Sequence, residues 1–388
     1  MSGYSGHVEK RYKSSWTIII EGERVGGKRK RITKSVKGTK KEAEKIMHQM
    51  ITELNKGIYI ETNNLTFEAF LEKWLEDYAK LKTTPKTFLR YEEIIKSRII
   101  PDLGKLPMDK LKPMHLQQFY AKLLTGGRKD GKEGGLSPTT VMQHHRIIHK
   151  SLDTAVKWQI AARNVADAVE PPQKTKHEIV VLDETQVRKM LDAAQNTPYF
   201  GPILLAVTTG MRRGEILGLR WQDVEWNSNI LQIRQTIQYT PGKGIFFKQP
   251  KTVGSYRPVK ITSSIIEFLK KHKLEQAKIK LMLGPEIYEE NGLVFCQDNG
   301  KPMHPDSISS WFPAFMERNW LPKIRFHDLR HTHATLLLKQ GIHPKVVSER
   351  LGHAGISITM DIYSHLLPGM QEEAASKIDQ VIFGEKIK

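Results

Sequence analysis

The stretch HDLRHTHATLLLKQG, residues 327–341, sets His327, Arg330, His331 and His333 within seven positions and then turns apolar. Imidazoles and a guanidinium this close could serve two chemistries. His327 and His331 stand four apart, the spacing that puts two rings on one helix face, as in helical zinc sites. Against metal binding, Asp328 stands where such a motif carries a glutamate base. Arg330 also places a permanent cation inside the pair, and only His353 offers itself as a third ligand. The other chemistry is phosphate. His327 and Arg330 are three apart and can share a face. A guanidinium donates to two phosphate oxygens at once, and an imidazole adds a donor or passes a proton.

Phosphoryl transfer without a metal needs several donors around one phosphate, a nucleophile, and an acid for the leaving oxygen. Three further stretches offer candidates. TTGMRRGEILGLRW places Arg212 at a helix start after a small-residue turn, with Glu215 one turn on. FFKQPKTVGSYRPVKI sets Lys251 in a polar turn between strands, where an ammonium could protonate a leaving 5′ oxygen. LGHAGISITMDIYSHL carries His353 and, ten residues later, Tyr363. Each alone has an ordinary reading, such as a structural tyrosine or a capped helix with a surface Arg–Glu pair.

These residues need a scaffold, and the composition bounds it. A chain of 388 residues points to two or three domains, and 39% hydrophobic content can bury a core in each. Lys and Arg number 61 against 42 Asp and Glu, a net charge of +19 that favours a polyanionic partner, nucleic acid first. A merely solvated basic surface is the alternative. A single cysteine, Cys296, rules out an intrachain disulfide and a Cys-based zinc cluster. The N-terminus lacks the apolar core of a signal peptide, and no run of about 18 apolar residues is available to span a bilayer. The expectation is a soluble cytoplasmic protein with no membrane partner.

Three segments follow from patterning. Residues 1–62 read as a small basic βββα unit. Trp16, Ile18 and Ile20 alternate, VGG marks a hairpin, and Thr39 with Glu42 forms a capping box for a helix that Gly57 stops. Residues 1–60 hold 14 Lys and Arg against 6 Asp and Glu. Arg24, Lys28, Arg29, Lys30 and Arg31 cluster at the turn, so this unit is expected to read DNA, with a solvated hairpin as the alternative. Residues 65–170 read as all-helical, with Phe67, Phe70, Leu71, Trp74, Leu75 and Tyr78 as a core stripe, and with Pro101 and Gly104 following one helix. Two helices open with Pro-containing, Thr-rich caps. Thr84, Lys86, Thr87 and Arg90 on one, and Thr139, Thr140, Gln143 and His144 on the other, are candidate DNA contacts, ordinary capping being the alternative. Residues 171–180 form a Pro-rich, charged linker, and 181–388 a mainly helical α+β domain with a C-terminal tail.

Together and in this order, TGMRRGEILGLRW, PKTVGSYRPV, FHDLRHTHAT, LGH and YSHL resemble the tyrosine recombinases, specifically the integrases of phages and integrative elements. The resemblance implies an arm-type DNA-binding domain, a helical SAM-like core-binding domain and a catalytic domain. It implies that Arg212 and Arg330 clamp the scissile phosphate, that Lys251 is the general acid, and that His327 and His353 contact the phosphate. Tyr363 would be the nucleophile and Glu215 a supporting acid. Its implied activity is cleavage and rejoining of DNA strands through a 3′-phosphotyrosine, integrating and excising a mobile element through a Holliday junction. No metal, ATP or other cofactor is implied. His331 and His333 fall outside that set and are expected to serve packing or capping.

The implied partners are double-stranded attachment-site DNA and, on it, a homotetramer of a chain that is monomeric when free, with an excisionase or a host DNA-bending factor as further partners. Ala374, Ile378, Val381 and Ile382 make a stripe in the tail that would pack on a neighbouring protomer or on its own domain. Two other classes stay in view. A type IB topoisomerase shares the nucleophile and clamp but needs no synaptic partner. A non-catalytic DNA binder would explain the charge but not the catalytic set.

Overall fold

The computed structural model describes residues 4–25, 28–55, 65–173, 179–249, 256–353, 355–363 and 370–384. The chain divides into two compact units, Met1–Lys176 and His177–Lys388.

In the first unit, β1 (Ser5–Tyr12), β2 (Ser15–Val25) and β3 (Lys28–Lys37) form an antiparallel sheet in that order. Helix α1 (Lys40–Asn55) follows. Alternation puts Ile18 and Ile20 of β2 on one face with Ile32 of β3, where they bury Ala43, Met47 and Met50 of α1. The Thr39 amide donates to Glu42 Oε2 at 2.7 Å and the Glu42 amide to Thr39 Oγ1 at 3.3 Å, a reciprocal cap. Gly26, Gly27 and Gly57 lie outside the described residues.

The helices α2 (Phe67–Trp74), α3 (Lys80–Lys82), α4 (Pro85–Ile94), α5 (Ile100–Leu103), α6 (Pro113–Gly126) and α7 (Pro138–Lys157) come next. Phe67, Phe70, Leu71 and Trp74 sit in one core with Ile95, Leu116, Phe119, Ile148 and Leu152. The buried Trp74 indole donates to Thr154 Oγ1 at 3.0 Å, satisfying the polar atom that so large a side chain brings inside.

One boundary differs from the sequence reading. The helix does not end before Pro101. It widens into a π-helical segment, Ile95–Ile99, and runs on through Pro101 to Leu103. Proline cannot donate to the carbonyl four residues back, and that carbonyl, on Ser97, accepts from Lys129 Nζ at 2.6 Å instead.

The second unit begins with α8 (Glu184–Ala194), α9 (Phe200–Thr209) and the short α10 (Arg213–Leu217). Strands β4 (Val224–Glu225), β5 (Ile230–Ile233), β6 (Thr236–Thr240), β7 (Gly244–Lys248) and β8 (Arg257–Lys260) form two small sheets, β4-β5-β8 and β6-β7. Pairing of Ile233 with Arg257 and Leu231 with Val259 fixes the register of β8. Helices α11 (Ser263–Leu283), α12 (Pro305–Arg318), α13 (Asp328–Lys339), α14 (Pro344–Leu351), α15 (Ile356–Tyr363) and α16 (Met370–Phe383) complete the chain. Their core joins Ile203 and Ala206 of α9 to Phe312 of α12, Phe326 and Leu329. Among the described residues no helix is long and apolar enough to cross a membrane.

Candidate active site

Arg212 sits immediately before α10, where the chain leaves the left-handed Gly210 that ends α9. Its amide donates to Glu215 Oε2 at 2.9 Å and its Nη1 to Glu215 Oε1 at 2.9 Å, so the acid one turn on fixes both backbone and side chain. The remaining terminal nitrogen, Nη2, donates to the carbonyl of Gly352 at 3.2 Å. The Arg212 side chain stays 40% exposed, while Glu215 is buried.

Arg330 lies on the first turn of α13 and is buried. Its Nη1 donates to Gly210 O and its Nη2 to Leu351 O, both at 2.7 Å. The two arginines thus meet at one backbone turn, Leu351–Gly352, and Arg330 also reaches back to Gly210, two residues before Arg212. Asp328 supports the start of α13 by accepting from the Arg325 amide at 2.8 Å and from its guanidinium.

Around the arginines stand three imidazoles. His327 keeps an edge in solvent, yet partial desolvation and the nearby Arg330 charge hold its pKa below the ordinary imidazole value. His353 follows the Leu351–Gly352 turn, and its Nδ1 lies 2.8 Å from Thr359 Oγ1 on α15. Burial together with the Arg330 and Arg212 charges pushes its pKa down to about 4. His331 packs edge-on to His327, with ring centroids 5.6 Å apart, and is held at about 4 by burial and by that neighbour. His331 and His353 are therefore neutral at pH 7, and His327 is shifted in the same direction. Burial is the main cause of these shifts, and the guanidinium charge that adds to them is what an anion would need.

His333 takes a different part. It is buried, its Nδ1 lies 2.9 Å from Val207 O, and its Nε2 accepts from Arg350 Nε at 3.1 Å. It joins α9 to α14 inside the fold, in keeping with a packing role.

The structure also brings in a residue that motif reading passed over. Arg257, at the start of β8, is 6% exposed and pairs bidentately with Glu215, Nη2 to Oε2 at 2.8 Å and Nη1 to Oε1 at 3.2 Å. Burial alone would raise the Glu215 pKa, but the Arg257 and Arg212 cations outweigh it and hold the carboxyl below its ordinary value. The signal was present in SYRPVKI, an arginine at an inward position of an alternating strand, but a strand arginine reads as solvated until its register is known.

Lys251 lies between β7 and β8, outside the described residues. Tyr363 is the last residue of α15, the helix that follows His353.

The DNA-contact candidates divide. Arg24 pairs in register with Arg29, and Val25 with Lys28, at the end of the β2–β3 ladder, and Arg31 is exposed opposite Glu21. Lys86 and Arg90 are exposed on α4, Arg90 pairing with Glu93 at 2.9 Å, while Thr84 and Thr87 are half-buried and joined hydroxyl to hydroxyl at the cap. Thr139 and Gln143 are exposed on α7, and Thr140 is half-buried against the Ser137 cap.

His144 must be removed from that group. It is 2% exposed, with its ring against Phe119 and its Nδ1 2.8 Å from Thr140 O. One helical position of phase turns it into the core while Gln143 and Arg146 face out.

Comparison with known proteins agrees with this architecture. The Phage integrase family profile matches residues 180–369, and that of the phage integrase N-terminal SAM-like domain matches 66–124. The chain is 28% identical to the XerC-like tyrosine recombinase of Caldanaerobacter subterraneus subsp. tengcongensis, over 88% of this chain and 90% of that protein. It is 27% identical to the ICEBs1 integrase of Bacillus subtilis strain 168, over 94% of each. The fold is similar to that of the Tn1549 transposon integrase solved with a circular intermediate DNA, with a TM-score of 0.67, 19% identity, and coverage of 82% of this chain and 99% of that one. Both profiles fall on the parts of the chain that build the helical core and the arginine–histidine cluster, and between them they span more than half of its length. On those grounds the chain belongs to the phage integrase family of tyrosine recombinases and is a site-specific DNA recombinase.

Proposed function

We propose that the chain integrates and excises a mobile element by cutting and rejoining DNA through a 3′-phosphotyrosine, with Tyr363 as nucleophile. The observation that carries this reading is that Arg212, Arg330 and His353 meet at the turn that leads, through α15, to Tyr363, with His327 at the start of α13 three positions before Arg330. A tyrosine has a reference pKa of about 10 and needs help to attack at neutral pH. Its proton passes to neutral His327 as the phenolate oxygen attacks the scissile phosphorus. Arg212 and Arg330 offset the charge on the nonbridging oxygens, and His353 donates a further hydrogen bond. Lys251 protonates the 5′ oxygen as the P–O bond to it breaks. The phosphotyrosine keeps the energy of the phosphodiester, so attack by another 5′-hydroxyl reseals DNA without ATP.

In this reading residues 1–62 bind arm-type sites, 65–170 and 181–388 hold the core site from their basic faces, and 171–180 link them. Arg24, Lys28, Arg29, Arg31, Thr84, Lys86, Thr87, Arg90, Thr139, Thr140 and Gln143 contact DNA. Exchange between two duplexes requires a homotetramer assembled on DNA and passes through a Holliday junction. An excisionase or a host bending factor would set direction.

The test is a nicked suicide duplex, taken from the sequence flanking the gene, incubated in EDTA. Wild type is expected to give a protease-sensitive covalent adduct, and Tyr363→Phe to bind without forming one. An adduct that persists in Tyr363→Phe would reject the nucleophile. DNA binding without any adduct from the wild type would favour a non-catalytic binder.

A further inference from the structure

Three consecutive carbonyls end α14, and each accepts from a different arginine. Arg350 O takes Arg257 Nε at 2.9 Å, Leu351 O takes Arg330 Nη2 at 2.7 Å, and Gly352 O takes Arg212 Nη2 at 3.2 Å. The last carbonyls of a helix lack partners within it and carry the negative end of its dipole, so a row of guanidinium groups suits them. Arg350 itself anchors the row. Its side chain donates to Lys260 O at the end of β8, to Thr208 O at the end of α9, and to His333. Gly352 completes the fit. Its φ is +67°, and a Cβ there would lie 3.0 Å from both Cδ and Nη1 of Arg257.

Within this comb Arg257 has no place in the phosphate-binding set. It is buried, and it faces Glu215 and Arg350 O rather than the open side on which Arg212 is exposed. Glu215 accepts four bonds, two on each oxygen, one pair from Arg212 and one from Arg257. Take Arg257 away and two of that buried carboxylate's four bonds are lost, with Arg212, already bound to it, able to fill the gap. A guanidinium drawn into bidentate pairing with Glu215 leaves Gly352 O and turns from the phosphate.

We propose that Arg257 is a positioning residue for DNA cleavage: by occupying one side of Glu215 and the carbonyl of Arg350, it holds Arg212 in the pose that meets the scissile phosphate. This rests on the phosphotyrosine reading above.

The experiment measures single-turnover cleavage of the suicide duplex by the full chain as wild type, Arg257→Ala and Arg257→Lys. Each is assayed with an ordinary scissile phosphate and with a methylphosphonate, which replaces one charged nonbridging oxygen by a methyl group. DNA binding and thermal melting are followed in parallel. Arg257→Ala should bind DNA like the wild type and cleave the phosphate on the order of 10²-fold more slowly, the scale set by misplacing a catalytic group by about an ångström. Its deficit should shrink to under about 10-fold on the methylphosphonate, where less charge awaits Arg212. Arg257→Lys should fall between, since an ammonium can pair with Glu215 but lacks the fork that also reaches Arg350 O. Should Arg257→Ala fail to fold, the lysine variant carries the same comparison.

Wild-type rates in a folded variant, or an equal deficit on both substrates, would overturn the assignment. Failure of the phosphotyrosine reading shows separately, as a wild type that forms no adduct or an adduct that survives Tyr363→Phe, and it would take this assignment with it.

Discussion

Replacing Glu215 by glutamine keeps its volume and removes only the charge and one acceptor. The consequence can be worked from the bonds. Each carboxylate oxygen accepts twice, Oε1 from Arg212 Nη1 and Arg257 Nη1, Oε2 from the Arg212 amide and Arg257 Nη2. A glutamine offers one oxygen, so whichever way its amide turns, its NH2 faces two donors. Two of the four bonds become donor–donor contacts, and the two arginines lose their shared anion. Glu215 and Arg257 are both buried, at 7% and 6% exposure, so water relieves little of this. Breaking a buried pair from one side costs about 3–5 kcal/mol.

For a domain of this size, each kcal/mol moves the melting temperature by about 2–4 °C, so the transition of the His177–Lys388 unit should fall by roughly 6–20 °C. Differential scanning calorimetry of the full chain, with the transition of the first unit as internal control, reads this directly. A double-mutant cycle with Arg257→Gln then tests the cause. The double variant should lose less than the two single losses combined, because the second substitution removes a charge already stranded, with a coupling of about 1–3 kcal/mol. A melting shift below about 2 °C, or strict additivity, would refute the claim that this carboxylate ties the arginines together.

Two further outcomes follow from the same region. Gly210→Ala must place a side chain at φ +67°, with its Cβ 2.5 Å from Leu351 Cδ2 and 2.7 Å from His333 Cδ2, so a loss of about 2–4 kcal/mol is expected in the same calorimetric transition. An unchanged transition would mean that α9 and α14 are not in close contact there. Acid should destabilise the second unit through His333, whose burial lowers its pKa from 6.5 to about 4. Between those values the unfolded chain binds a proton that the folded one refuses. The contribution of His333 to stability is therefore full above pH 6.5 and falls by about 1.4 kcal/mol per pH unit towards pH 4, beside like contributions from His331 and His353. His333→Gln should flatten that slope in melts taken from pH 7 to 4.5, and an unaltered slope would count against a neutral, Arg350-accepting imidazole.

What could be read from sequence was local chemistry. The three-residue interval between His327 and Arg330, the position of Arg212 at a helix start with Glu215 one turn on, and the Thr39–Glu42 cap all depend on neighbours within a turn. Short-range geometry fixes such pairs wherever the element sits. The order of the motifs carried the family, and its members' shared chemistry came with it. Tertiary structure decided the rest. His144 and Gln143 are adjacent and both polar, and only the packing of α7 on Phe119 chose which went inside. Pro101 reads as a stop, yet its helix continues through a π-helical segment, with Lys129 on the carbonyl four residues before the proline. Arg257 meets Arg350 across 93 positions and His333 meets Val207 across 126. No local pattern marks such contacts. They exist because a buried cation or imidazole must find acceptors wherever folding has brought carbonyls and carboxylates together, and at this site the end of α14 is where they meet.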